Sequence, residues 1–126
     1  MKIVETSEAP TPLSNYSQGV VVPSTSRHLH VSGQVGITLN GIIPDDPAEQ
    51  HELCWQNVLA ILKAEGMDHR NIVMARVYIT NPAHVALYRQ VRDRFMQDHR
   101  PAATLLVVAG LADPRYCVEV DVIAAA

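Results

Sequence analysis

The C-terminal stretch VEVDVIAAA, residues 118–126, sets two carboxylates one residue apart in an otherwise apolar run. In a strand, alternate side chains point to opposite faces. Val118, Val120 and Val122 therefore share one face, while Glu119, Asp121 and Ile123 share the other. The first face is core. The second meets water, a partner subunit or a polar pocket, and a carboxylate held in a pocket can orient a water molecule and take its proton. Asp121 reads as an exposed acid near a strand end. His28 and His30 form an H-x-H pair, which offers two metal ligands, but no third ligand is in view and no metal is expected. Cys117 lies on the parity of Glu119, with no histidine close in sequence to make a Cys–His nucleophile. Together with Cys54 it reads as a free thiol inside an apolar segment.

The elements that position these groups must come from a short chain. Its 126 residues suit one domain spanning 1–126, with no room for a separate catalytic module. A hydrophobic fraction of 48% supports a core, while 18% charged residues is low enough to suggest that another chain covers part of the surface. The net charge is −3 and no stretch clusters Lys or Arg with aromatics, which argues against a nucleic-acid partner. The N-terminal residues MKIVETSEAPTPL lack the apolar run of a signal peptide, no segment could span a bilayer, and a cytoplasmic protein is expected.

Two helices are signed in the sequence. In HELCWQNVLAILKAEGM, Cys54, Val58, Ile61, Leu62 and Glu65 follow helical spacing, with Asp46 as cap, Pro47 in the first turn, Glu49 completing a capping box and Gly66 as the stop. The second starts at NPAH, with Asn81 as cap and Pro82 as first helical residue. Leu87, Tyr88, Val91 and Phe95 form its buried stripe, and Arg89, Arg92 and Arg94 a solvated or interface face. It must end before Pro101. The remaining segments read as strands. QGVVV and HLHVS flank a turn rich in Pro and Ser and suggest a hairpin. IVMARVYIT alternates, with Val73, Ala75, Val77 and Ile79 on one side and Met74, Arg76 and Tyr78 on the other; ATLLVVAGL and YCVEVDVIA complete the set.

This order predicts an α+β fold, a mixed sheet with two helices packed on one face. The uncovered face then presents His28, His30, Ser32, Met74, Arg76, Tyr78, Glu119 and Asp121. Half apolar and half polar, it has the character of a subunit interface that holds a pocket.

Several segments together resemble the RidA/YjgF family, the reactive-intermediate deaminases also labelled L-PSP. APTPLSNYSQGVVV is similar to the family's N-terminal block, HVSGQVGI to its second, and QHELCWQNVLAIL carries the Gln and Asn that recur in its helix. MARVYIT, RPAATLLVVAGLA and VEVDVIA complete the order, so the resemblance runs from about Ala9 to Ala124. It implies a chorismate-mutase-like fold and a homotrimer whose sheets enclose a barrel, with a small-molecule pocket at each subunit boundary. It further implies hydrolysis of imines and enamines to a 2-oxo acid and ammonia, with no metal or organic cofactor. On this resemblance Glu119 orients the water, and Tyr16, Ser32 and Gly33 line the pocket. His30 stands where an aromatic is usual and reads as a pocket wall, or as an acid–base group, since imidazole is the side chain suited to that work near neutral pH. Thr104 and Cys117 complete the candidate lining.

One position departs from the pattern. The family's deaminases carry an arginine after "PA" that grips the substrate carboxylate, and here that residue is Ala103. Each charge-assisted hydrogen bond lost is worth on the order of 1.5–3 kcal/mol, so the missing fork weakens carboxylate binding by roughly a hundredfold or more. Tyr88 also stands where many members have asparagine. The standard 2-iminoacid activity is therefore not carried over, and Arg115 and Arg76 are the cations within reach of the expected pocket. The leading expectation is a deaminase of an enamine or imine metabolite. The alternative is a ligand-binding or regulatory trimer without catalysis. A ribonuclease or translation inhibitor is disfavoured by the acidic charge.

Overall fold

A computed structural model describes residues 1–126 of the chain. The best-signed helix forms α1, Pro47–Ala64. The Asp46 side chain accepts from the Ala48 N–H at 3.0 Å, and Pro47 opens the first turn, where its missing N–H costs nothing. At the other end Met67 N–H donates to the Leu62 carbonyl (2.9 Å) and Gly66 N–H to that of Lys63 (3.0 Å). That closure needs a left-handed residue, and Gly66 supplies it at φ +70°. Cys54, Trp55, Val58 and Leu62 are fully buried, while Glu65 faces out and pairs with Arg27 at 2.8 Å.

The second helix starts later than its cap. Asn81 Oδ1 accepts from Ala83 N–H at 2.9 Å, but Pro82–His84 forms a 3₁₀ turn, and α2 runs from Val85 to Met96. Tyr88 and Val91 are buried and Leu87 and Phe95 pack against the core, as the stripe predicts. Arg92 corrects it: expected on a solvated or interface face, it is only 2% exposed.

Six strands are present. β1 (Lys2–Val4) and β2 (Gly19–Val21) pair antiparallel as a small separate sheet. The main sheet contains β3 (His28–Val35), β4 (Ile72–Ile79), β5 (Ala102–Val107) and β6 (Val118–Ala125), in the order β3-β6-β4-β5. β6 runs antiparallel to both neighbours, whereas β4 and β5 are parallel, with α2 in the crossover that parallel strands require. The expected hairpin of QGVVV with HLHVS does not form. Val20 pairs with Ile3 of β1, and β3 joins the chain's last strand instead.

The helices cover one face of this mixed sheet, where Ala75, Val77, Ile79, Val118, Val120, Val122 and Ala124 pack with α1 and α2 residues. Val73 was expected on that side, but a bulge between Ile72 and Met74 puts Ile72 there. On the other face lie His28, His30, Ser32, Arg76, Tyr78, Glu119 and Asp121, as alternation predicts. No helix is long and apolar enough to cross a membrane.

Candidate functional site

Glu119 stands on the uncovered face of β6, directly across from Tyr78 on β4 and Val35 on β3. The register of β3 slips between Val31 and Gln34, which makes Ser32–Gly33 a bulge at this point. The bulge brings the β3 backbone under the Glu119 carboxylate. A Cβ on residue 33 would lie 2.2 Å from Glu119 Oε2 and 2.8 Å from its Cδ, so only glycine accommodates the carboxylate in this position. Ser32 is exposed beside it, and its carbonyl accepts from Gln34 Nε2 at 3.1 Å.

Asp121, two positions along the same strand, lives in different surroundings. Arg76 Nε donates to its Oδ1 at 2.7 Å and the Tyr78 hydroxyl to its Oδ2 at 2.9 Å. The hydrogen bond to Asp121 pushes the Tyr78 phenol above its usual range. One carboxylate is thus tied into the sheet by two donors, and the one over Gly33 is left facing outward.

A groove of about 290 Å³ runs along the edge strand β5 on the helix side, walled by Tyr16, Tyr88, Arg92, Ala103 and Leu105. Tyr16 reaches it because Ser17 is stitched to the strand: Ser17 N–H donates to the Pro101 carbonyl at 3.0 Å, its hydroxyl to that of Arg100, and it bridges to Ala102. Ala103 pairs in register with Ala75, whose side is core, and so faces the groove. Thr104 pairs with Arg76 and belongs to the opposite face.

Arg92 fills the groove wall beside Ala103. Its Nε donates to Asp93 Oδ1 at 2.9 Å, and its Nη1 to Ser14 Oγ and Tyr88 Oη at 3.3 Å each. The guanidinium carbon lies 5.1 Å from the Tyr88 ring centroid, a cation–π distance. Nη2 is buried without a hydrogen-bond partner, although its charge lies 2.8 Å from Asp93 Oδ1. Arg92 is thus paired with Asp93 while its guanidinium stays part of the groove wall.

The candidate residues therefore fall into separate sets. Tyr16, Tyr88 and Ala103 line the groove; Glu119, Ser32, Gly33, His30 and Thr104 belong to the uncovered sheet face. One chain does not bring the two together. Neither arginine considered as a replacement clamp is free. Arg76 is engaged by Asp121, and Arg115 forks onto Asp113 through Nε (3.0 Å) and Nη2 (2.8 Å) in its own loop. Those bonds hold the Asp113 carboxyl down at about 2. Cys117 has no histidine near it in sequence, but two meet it in space: His51 of α1 and His84 of the 3₁₀ turn. Burial holds His51 neutral, its pKa lowered to about 4 with His84 adding to the effect, and burial pushes the Cys117 thiol up.

A helix-backed mixed sheet with an acid on its bare face and an arginine-walled groove at its edge defines a protein of the α+β class. The family model described as Endoribonuclease L-PSP matches residues 6–126. The rat protein named 2-iminobutanoate/2-iminopropanoate deaminase is 31% identical over 112 residues, which are 87% of this chain and 80% of that protein. The solved structure of E. coli TdcF with bound serine is 32% identical, with a TM-score of 0.74 and 98% of each chain covered. For the fold alone, the Rid-family protein YyfB from Yersinia pestis superposes with a TM-score of 0.85 at 23% identity, covering 98% of this chain and 96% of that one. The chain belongs to the L-PSP family, the RidA/YjgF proteins.

Proposed function

We propose that the protein hydrolyses a small enamine or imine as a homotrimer, with the site at each subunit boundary formed by the sheet face of one chain and the β5 groove of the next. Glu119 takes a proton from water as the oxygen attacks the iminium carbon. It then returns that proton to nitrogen, and as the carbon–nitrogen bond breaks it takes the remaining hydroxyl proton and passes it to the departing ammonia, so that one water and one iminium yield a carbonyl compound and ammonium. Tyr16 and Ser32 offer hydroxyls to the ligand, and Gly33 leaves room for the carboxylate. Arg92 supplies the cation that Ala103 lacks, from the helix rather than the strand. The observation that carries the reading is the Glu119 carboxylate set over Gly33 while its neighbour Asp121 is occupied. The relatives' names and the serine in TdcF support a ligand of amino-acid size.

The test generates imines in situ from a panel of amino acids, aromatic and dicarboxylic ones included, and follows release of the 2-oxo acid. Acceleration over buffer that drops roughly a hundredfold or more in Glu119→Gln is expected. An intact trimer without acceleration across the panel would instead favour a ligand-binding protein, the reading to which Ala103 points.

A further inference from the structure

Three side chains from three separate elements converge at the start of β6. His51 stands in the first turns of α1, His84 ends the 3₁₀ turn ahead of α2, and Cys117 immediately precedes β6. Their ligating atoms all lie within 4.8 Å of one another. His51 is completely buried, yet neither Nδ1 nor Nε2 has a hydrogen-bond partner, and His84 Nδ1 is buried and unpartnered too. Buried polar atoms almost always find a partner, so two imidazoles with orphaned nitrogens beside one thiol call for an explanation. No residue of this cluster lines the β5 groove.

We propose that His51, His84 and Cys117 bind a divalent transition-metal cation of the zinc class. The donor set decides the class: two imidazoles and a thiol suit zinc, whereas magnesium and calcium need oxygen ligands that the cluster lacks. Zinc–nitrogen and zinc–sulfur bonds of about 2.0–2.3 Å set tetrahedral ligands about 3.4–3.7 Å apart, so side-chain rotations of about 1 Å close this cluster on an ion. Three protein ligands leave a fourth position for water or another small donor.

The backbone around two of the ligands is held in place. Gln50 Oε1 accepts from the Cys117 N–H at 2.9 Å, while its Nε2 donates to the carbonyls of Arg115 and Pro44 at 2.8 Å each. Gly36 permits that reach, since a Cβ there would come within 2.6 Å of the Gln50 Cα. On the far side, His84 N–H donates to the Asn81 carbonyl at 3.0 Å. These bonds fix the backbone that carries Cys117 and His84. The H-x-H pair on β3 has no such bracing, because His28 and His30 are exposed.

The experiment titrates Co²⁺, and separately Zn²⁺, into full-length protein freed of metal by chelation. One Co²⁺ per chain is expected, with the visible absorption of a tetrahedral site and a thiolate-to-cobalt charge-transfer band. Zn²⁺ should displace it, raise the melting temperature and protect Cys117 from iodoacetamide. Cys117→Ser should abolish the charge-transfer band and His84→Gln should weaken binding at least tenfold, whereas a His28→Ala/His30→Ala variant should bind unchanged. His51→Gln is the third ligand variant. Should it fail to fold, the other two still decide, because their side chains are only partly buried. Absence of saturable absorption, a charge-transfer band that survives Cys117→Ser, or loss of binding in the His28/His30 variant would each overturn the assignment.

Discussion

Glu119 and Asp121 are chemically similar acids on one face of one strand, and their neighbours alone divide their work. Gly33 gives that division a direct test. Adding a methyl there in Gly33→Ala meets the mobile end of the Glu119 side chain rather than backbone, so the carboxylate swings away at little cost to the fold. Deaminase activity should fall at least tenfold while the urea midpoint stays within about 1 kcal/mol of the parent; a large stability loss would mean that Gly33 serves the strand instead. His51 makes a second residue-scale prediction, for the metal-free chain. Facing His84 and Cys117, it stays neutral in the fold down to about pH 4, whereas the unfolded chain takes up its proton near 6.5. Acidification through that window therefore favours unfolding, with a loss of roughly 3 kcal/mol in all, and stability is fully present above pH 6.5. Urea titrations in chelator at pH 7 and pH 5 measure it, and His51→Gln should flatten the slope. Alternation alone makes the bare face around Glu119 legible in sequence. Arg92 was not legible, because an arginine among arginines on a helix gives no sign of which one the N-terminal segment covers.

At the scale of elements, local signals served the helices better than the strands. Asp46, Pro47 and Gly66 mark the ends of α1 within the sequence itself, and the helix obeys them. Strand partners are non-local. QGVVV could pair with either flank, and the choice of β1 over β3 depends on β6 being available, nearly a hundred residues away, to take β3. Bulges escape pattern reading for the same reason, since a slip at Ser32–Gly33 or at Ile72–Met74 is defined only against a partner strand. The approach of α1 to β3 rests on one further glycine. In Gly36→Ala the new methyl meets the Gln50 Cα as well as its side chain, and backbone cannot rotate away. Destabilisation of about 2–3 kcal/mol is expected from urea unfolding, far more than from Gly33→Ala. Equal effects of the two alanines would contradict the packing described for both glycines.

At the scale of the molecule, one chain carries the proposed acid and the arginine-walled groove on opposite sides of its sheet. The acid faces away from the helices, and the cationic groove opens at the edge of β5 beside them. No rotation of a side chain unites them, so a site that uses both must draw them from two copies. A ring of identical chains does this repeatedly, because a heterologous contact places the same face against the same groove at every boundary. Mixed assembly isolates the point. Glu119→Gln and Arg92→Met are each expected to be nearly inactive alone, the second chiefly through a raised KM, with assembly into a particle three times the 13.8 kDa chain mass intact for both. Unfolded and refolded together in equal amounts, they should regain about a quarter of wild-type activity, since one boundary in four then joins an intact acid to an intact guanidinium. Activity that stays at the level of the separate variants, in particles shown to be mixed, would place acid and cation within the same chain or remove Arg92 from the site.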